Sequence, residues 1–322
     1  MILRRALLGA GLAVPALAQG VGGFPSRPIR LIVGFPPGGG SDLVARPIAQ
    51  RMSETLGQQV VVENRGGANG NLGLEAVARS QPDGYTFGHV NDSVIAINPL
   101  LYRNLPFDPA RELTPIGIAT QGGMFVMVPA ELPVRSMAEL VALLRARPGE
   151  LNFGSAGQGS VTHLGYTLFA REAGINMEVV TYRGSAPALQ DMLGGRVQLM
   201  IDGINLAKAQ IDAGRVRALA FIGGTERHPG FPDVPTTTEA GLPGFVMRGW
   251  QGFVGRAGTP EPVLDALEAA LRGAVEDSAV AALFASQGII PRFRGRAEMG
   301  RAIAEHTALW RPIIQNLGLR LD

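Results

Sequence analysis

From Ile29 onward, short apolar runs alternate with stretches whose apolar residues recur at helical spacing, and few folds satisfy that alternation. The run 29–35 reads as a strand buried on both faces. Leu43, Val44, Ile48, Met52 and Leu56 then trace one face of a helix capped by Ser41 or Asp42. Pro47 lies inside it and lacks the N–H that would bond residue 43, so a kink is expected. A strand at 59–62, a helix at 71–79 and a strand at 85–90 complete β-α-β-α-β, half of a doubly wound parallel sheet. A second set starts near Met124. Ser136 and Glu139 form a capping box that opens a helix. Strands at 151–154, 177–182, 197–201 and 216–222 then alternate with helices at 160–173, 187–193 and 206–213. Beyond Pro235 the pattern changes to a short helix, a strand over 250–254 and long helices at 260–276 and 296–317.

Two such units with a helical C-terminal tail require the chain to cross twice between lobes, at 123–125 and again at 245–252. The expected fold class is α/β, with two doubly wound domains joined by crossing strands. Lobe 1 takes residues 24–124 and 247–322, and lobe 2 takes 125–246.

Residues 1–18 are set aside from that fold. Arg4 and Arg5 precede an apolar run over 6–17, and Ala16, Leu17 and Ala18 supply the small-residue pattern of a cleaved export signal. Cleavage is expected before Gln19. The run is far shorter than the ~20 residues a spanning helix needs. The paired arginines raise a twin-arginine route, but the flanks match it poorly and ordinary Sec export is favoured. Without Arg4 and Arg5, 27 basic residues face 27 acidic ones. The sequence pI of 9.4 therefore overstates the basicity of the mature chain. Nothing points to nucleic acid, which needs a concentrated basic face. The absence of cysteine excludes disulfides and thiolate chemistry.

Two glycine-rich junctions occupy matching places, each after a strand and before a helix: "PPGGGSD" at 36–42 and "SAGQGSVTH" at 155–163. Neither is a phosphate-binding P-loop, because no Lys-Ser/Thr follows the glycines, and neither contains G-x-G-x-x-G. One such loop alone is as readily a strand-to-helix turn. Two of them, one per lobe, set two helix N-termini on opposite sides of one cleft, where unpaired N–H groups and positive dipole ends favour an anion. Catalysis finds less support. Ser41, Ser155, Ser160 and Ser185 lie outside any G-x-S-x-G elbow. His89, His163, His228 and His306 show no metal-ligand spacing. His163 either lines the cleft or packs the helix start, and Asp42 either caps its helix or meets ligand. Asp202, ending a strand, points toward the same rim. His228 and His306 read as surface or helix-face residues, and Trp250 and Trp310 as packing residues.

A longer series of motifs runs through the chain: "FPPGGGSD", "VENRGGANGNLG", "PDGYTF", "INPLLY", "LNFGSAGQGSVTHL", "YRGSAPALQDMLGG", "PDVPTTTEAGLPGF" and "AGTP". Together they resemble the Bug, or TctC-like, family, the substrate-binding proteins of tripartite tricarboxylate transporters. The likeness covers essentially the whole mature chain in order. It implies a two-lobed periplasmic binding protein fold that closes on a small solute, with ligand carboxylates held mainly by backbone N–H groups of the two loops and by ordered waters. Carried onto this chain, it assigns contacts to Phe35, Gly38, Gly39, Gly40, Ser41 and Asp42, and to Ser155, Gly157, Ser160, Thr162 and His163. Ser185, Ala186 and Asp202 match further cleft-lining segments. It implies no catalytic residue, no metal and no cofactor.

One departure from the family pattern bears on the ligand. Small neutral residues, often Thr-Ser, usually follow the third strand, where this chain has Asn91 and Asp92. In the family that loop faces the distal end of the ligand. A carboxylate there repels a second ligand carboxylate, which argues against a tricarboxylate and favours an ammonium, hydroxyl or ring nitrogen. A turn aspartate bonded to its own backbone is the alternative. The resemblance leads to the expectation of a monomeric periplasmic receptor that delivers a small organic acid or amino-acid-like solute to membrane transporter subunits. A binding protein serving a sensor is the second reading, and an enzyme on the same scaffold the third.

Overall fold

The computed structural model describes residues 23–322 apart from 225, 248, 319 and 322. The export signal expected at 1–18 thus lies outside the described residues. β1 (Ile29–Val33), α1 (Gly40–Leu56), β2 (Val60–Asn64), α2 (Asn71–Ala78) and β3 (Thr86–Asn91) form the first β-α-β-α-β set. A π turn at Ser93–Ile97 leads into α3 (Asn98–Leu101), α4 (Pro109–Glu112) and β4 (Leu113–Gln121). The second set comprises β5 (Met124–Pro129), α5 (Met137–Ala146), β6 (Asn152–Ser155), α6 (Val161–Ala173), β7 (Glu178–Thr181), α7 (Ser185–Leu193), β8 (Leu199–Gly203), α8 (Ile204–Asp212) and β9 (Val216–Phe221). The chain closes with β10 (Trp250–Arg256), α9 (Glu261–Glu276), α10 (Ser278–Ser286), β11 (Ile290–Arg294) and α11 (Arg296–Leu317).

The strands build two sheets, ordered β11-β4-β10-β3-β1-β2 and β7-β6-β8-β5-β9. Both are mixed rather than wholly parallel. β10 runs antiparallel to β3 and β4, and β5 runs antiparallel to β8 and β9. The reason is topological. β4 ends at the crossing and β5 begins there, so a strand entering from the other unit must run away from the cleft while its neighbours run toward it. β10 does the same on the return. The two crossing segments meet where the Gly122 N–H donates to the Gly249 carbonyl at 2.7 Å. A side chain at Gly123 would collide with the Phe221 ring and the Gly223 backbone, at 2.4 and 2.5 Å from its Cβ, so only glycine passes this point.

Helices cover both faces of each sheet and bury every residue of β1 except Arg30, which pairs with Glu63. Val44, Ile48 and Met52 of α1 pack with Leu267 and Leu271 of α9 over β1. Each such side chain contributes roughly 1.5–3 kcal/mol by leaving water. α11 starts over the first sheet, through Met299 and Ala302, but ends in the second unit's core through Trp310, Ile313 and Ile314.

Several local expectations need correction. The first strand stops at Val33, α1 begins at Gly40 behind an N-cap at Gly39, and it continues through Pro47. Between Pro235 and β10 the described residues hold no short helix; a bridge from Thr236 to Phe221 and a series of turns take its place. β4, α10 and β11 escape the sequence reading. Pro115 and Gly117 break the strand signature of β4, Pro291 breaks that of β11, and α10 follows α9 with Asp277 alone between them.

His89 on β3 is a consequence of this packing. Its ring is buried edge-on against Phe253, Nε2–H donates to Gln251 Oε1 at 2.8 Å, and Nδ1 has no partner among the described residues. Burial pushes its pKa down to about 4. The unfolded chain therefore takes up a proton first as pH falls, and folding is penalised between 6.5 and 4. Relative to a His89→Gln variant, the wild type is expected to lose up to about 3 kcal/mol over that window, read from urea unfolding at pH 7 and pH 4. Parallel pH profiles for the two proteins would refute this.

Candidate functional site

Both glycine junctions lie at the carboxyl ends of parallel strands, after β1 and after β6, and the crossing topology turns those ends toward one another. In the first loop, Asp42 is buried at the third helical position of α1. Oδ2 accepts the Gly38 N–H at 2.9 Å and Arg46 Nε at 2.7 Å, while Oδ1 accepts Asn64 Nδ2 at 2.9 Å. The same Asn64 amide donates to the Phe35 carbonyl at 3.0 Å. Burial pushes the Asp42 pKa up, but the bonds from Arg46, Gly38 and Asn64 outweigh it and hold the carboxyl below its ordinary value. Asp42 therefore braces the loop with its carboxylate turned inward. The Gly39 N–H bonds Pro36, and those of Asp42 and Leu43 bond the Gly39 carbonyl. The N–H groups of Gly40 and Ser41, opening α1, have no partner among the described residues.

The second loop is braced in the same manner by different residues. Ser155 and Thr162 are buried. Ser155 Oγ donates to the Gly157 carbonyl at 2.9 Å, and Thr162 Oγ1 accepts the Ala156 N–H at 2.9 Å. Ser160 caps α6: its Oγ donates to the Gly157 carbonyl and accepts the His163 N–H. His163 Nδ1 accepts the Gly159 N–H at 3.0 Å, which leaves the proton on Nε2, and burial lowers its pKa. The side chains of Ser155, Ser160, Thr162 and His163 are thus spent on the loop itself, while Gln158 is exposed. The N–H groups of Val161 and Thr162, opening α6, have no partner among the described residues. Each junction offers one adjacent pair of free donors at a helix N-terminus, a geometry that receives an anionic oxygen pair.

Phe35 is half-buried, its ring beside Gly70. Ser185 and Ala186 open α7 behind Gly184, whose N–H bonds the Ala156 carbonyl of the second loop. Asp202 ends β8 beside Ser185. Asn91 accepts the Val94 N–H through Oδ1 at 3.0 Å. Asp92 is buried, its Oδ2 3.4 Å from His306 Nδ1 of α11.

Two histidines depart from the sequence reading. His306 is not a surface residue; it sits between Asp92 and the Trp250 ring. His228 is also buried, among Phe125, Phe221 and Phe231. Its Nδ1 accepts the Gly230 N–H and its Nε2–H donates to the Gly288 carbonyl at 3.0 Å, joining the second unit to the turn before β11. The bond from His228 to Gly288 and the approach of His306 to Asp92 have no local signal, since those partners lie 60 or more residues away.

Two further segments escaped sequence reasoning. The loop before α2 holds Ala68 and Asn69 at φ 47° and 52°, left-handed for non-glycine residues, and ties Asn69 to Asn98 at 3.0 Å. Such strain persists only where surroundings impose it. At the C-terminus, Leu321 bonds Leu101 and Arg103 through its backbone, and its side chain covers Gly159. Gly159 has φ +70°, and a Cβ there would lie 2.7 Å from Leu321 Cδ1. The second loop therefore cannot be altered at 159 without strain. A groove of about 520 Å³ on the outer face of the first sheet is lined by Arg296 and Glu268, among others. Arg296 is already paired with Glu261, Asp265 and Glu268, and the Arg272 guanidinium lies over the Phe293 ring.

The pattern of the family described as "Tripartite tricarboxylate transporter family receptor" matches residues 44–319. Among relatives, BugT of Bordetella pertussis is 34% identical over 313 residues, spanning 97% of this chain and 95% of that protein. Among solved structures, R. palustris Rpa4515 with adipate superimposes with a TM-score of 0.85 at 34% identity, covering 92% of this chain and 99% of that one. MatC (Rpa3494) from Rhodopseudomonas palustris with bound malate gives 0.81 at 32% identity, covering 90% and 100%.

The bracing role of Asp42 has a direct test. Asp42→Ala removes three hydrogen bonds, two of them to donors that are otherwise uncharged, and is expected to cost roughly 2–4 kcal/mol at pH 7 in urea unfolding. Because the folded pKa lies below the unfolded one, the difference is present above the ordinary carboxylate range and shrinks as pH falls through the folded value. A loss under about 0.5 kcal/mol would mean that the loop holds its shape without this carboxylate.

Proposed function

This chain belongs to the tripartite tricarboxylate transporter receptor family, and we propose that its interlobe cleft captures a small organic carboxylate, dicarboxylates foremost, for delivery to membrane transporter subunits. The observation that carries this reading is the pair of free donors at each helix N-terminus, Gly40 with Ser41 and Val161 with Thr162. Their neighbours' side chains are committed to the loops themselves, so the cleft presents backbone donors and dipole ends, the chemistry of anion capture rather than of bond making. Adipate in one relative and malate in another support a dicarboxylate. The lobes are 24–124 with 247–322, and 125–246, and the mature protein acts in the periplasm after loss of residues 1–18.

The pairing of Asp92 with His306 favours reading Asp92 as a brace behind the cleft rather than as a filter against a second ligand carboxylate.

Proline at the first helical position deletes one N–H yet fits the helix start, and both preceding residues are extended, as proline prefers. Gly40→Pro and Val161→Pro are each expected to fold and to weaken adipate or malate binding about tenfold or more, since a hydrogen bond to a charged group is worth about 1.5–3 kcal/mol. Calorimetry on both variants checks this, after a thermal-shift screen of organic acids. Undiminished affinity in both would remove the helix N-termini from the site.

Asp92→Ser is expected to lower thermal stability while leaving the affinity ratio of a dicarboxylate to a matched monocarboxylate unchanged. A rise in that ratio of tenfold would restore Asp92 to the role of charge filter.

A further inference from the structure

Asp202 stands where β8 reaches the cleft, opposite Phe125 of β5 in the sheet register. Its two carboxyl oxygens have different surroundings. Oδ1 accepts the Gly203 N–H at 2.7 Å. Oδ2 is shielded from solvent and has no partner among the described residues, although other atoms of the residue reach the rim. An ionised carboxylate with one desolvated, unpaired oxygen is costly.

No charge nearby offsets that cost. The elements packed on β8 are β5, β6, α6, α7 and α8. β5 and β6 carry no titratable group. On α6, His163 Nδ1 holds the Gly159 N–H, Tyr166 bonds Met177, and Arg171 pairs with Glu172. On α7, Asp191 takes the Tyr182 hydroxyl and Arg196. On α8, Lys208 pairs with Asp212. Burial accordingly pushes the Asp202 carboxyl up to about 6; the Gly203 N–H and the nearby Ser185 hydroxyl, which stands outside hydrogen-bond geometry, draw it only part of the way back.

We propose that Asp202 meets the captured solute as a neutral carboxylic acid, its carboxyl turning on capture so that the shielded Oδ2–H reaches an acceptor oxygen of that solute, and that each capture takes up one proton. Protonation turns the orphaned oxygen from a repulsive acceptor into a donor, which suits a site whose other free groups are also donors. The solute class is narrowed with it: a carboxylate, hydroxyl or carbonyl oxygen lies beside Ser185, and an ammonium does not. The proposal rests on the reading of the cleft as a carboxylate site.

Two measurements test it. Carboxyl-labelled aspartate is followed by NMR in the unliganded protein, with Asp202 assigned by its disappearance in Asp202→Asn. A midpoint near pH 6 is expected, and one in the ordinary range below about 4 overturns the proposal without reference to any solute. Calorimetry with adipate and with malate then runs at pH 5.5 and 7.5, in two buffers of different ionisation enthalpy. Wild-type affinity is expected to fall about 20-fold between these values, with close to one proton taken up at pH 7.5. Asp202→Asn keeps a donor at the same place and should bind without that pH dependence, whereas Asp202→Ala should bind weakly at both. No proton uptake, or tenfold weaker binding by Asp202→Asn at pH 5.5, overturns the proposal. If neither probe binds any of the proteins, it is the dicarboxylate reading that fails, and the NMR midpoint still decides the state of Asp202.

Discussion

The chain passes between its two sheets twice, and the place of passage constrains everything near it. Both crossing segments pass the hydrogen bond from Gly122 to Gly249, and a strand that enters a sheet there must run outward. The remaining parallel strands run inward and end on either side of the crossing. Helices that follow such strands necessarily begin at the cleft, so their N-terminal donors converge on it. The antiparallel strands β5 and β10 are therefore part of the same arrangement that makes a binding site, and not an irregularity in two otherwise parallel sheets.

Donors that converge are useful only if the loops carrying them hold still. Here the polar side chains of each loop perform that task. Asp42 and Asn64 fix the first loop, and Ser155, Ser160, Thr162 and His163 fix the second, by bonding backbone groups that would otherwise be loose. A solute then binds to a preformed set of N–H groups and does not have to order them, which lowers the entropic cost of capture.

Three buried titratable groups show how burial alone yields different behaviour. Burial lowers the pKa of both His89 and His228 and so favours the uncharged imidazole, with one ring nitrogen bonded in His89 and both in His228. Asp202 is also pushed toward its neutral form, but for an acid that form carries the proton. The same desolvation makes the proton easier to lose in one case and harder to lose in the other. Among the three, Asp202 is the one at the mouth of a strand facing the cleft.

Local pattern was enough to reveal the alternation of strands and helices, the two glycine junctions and the need for two crossings, because each depends on residues close in sequence. The apolar run of β1, the cap at Ser160 and the spacing in α1 are properties of a few neighbouring side chains. What pattern could not reach was every feature made by distant partners: β4 with its proline and glycine, the burial of His228 against Gly288, the pairing of Asp92 with His306, and Leu321 resting on Gly159. The composition of the two loops showed that they could expose donors, but which donors stay free was decided only when Asp42, Thr162 and His163 took up the others. A side chain's hydrogen-bonding capacity is written in its residue type, whereas whether that capacity is already spent depends on what folding brings within 3 Å of it.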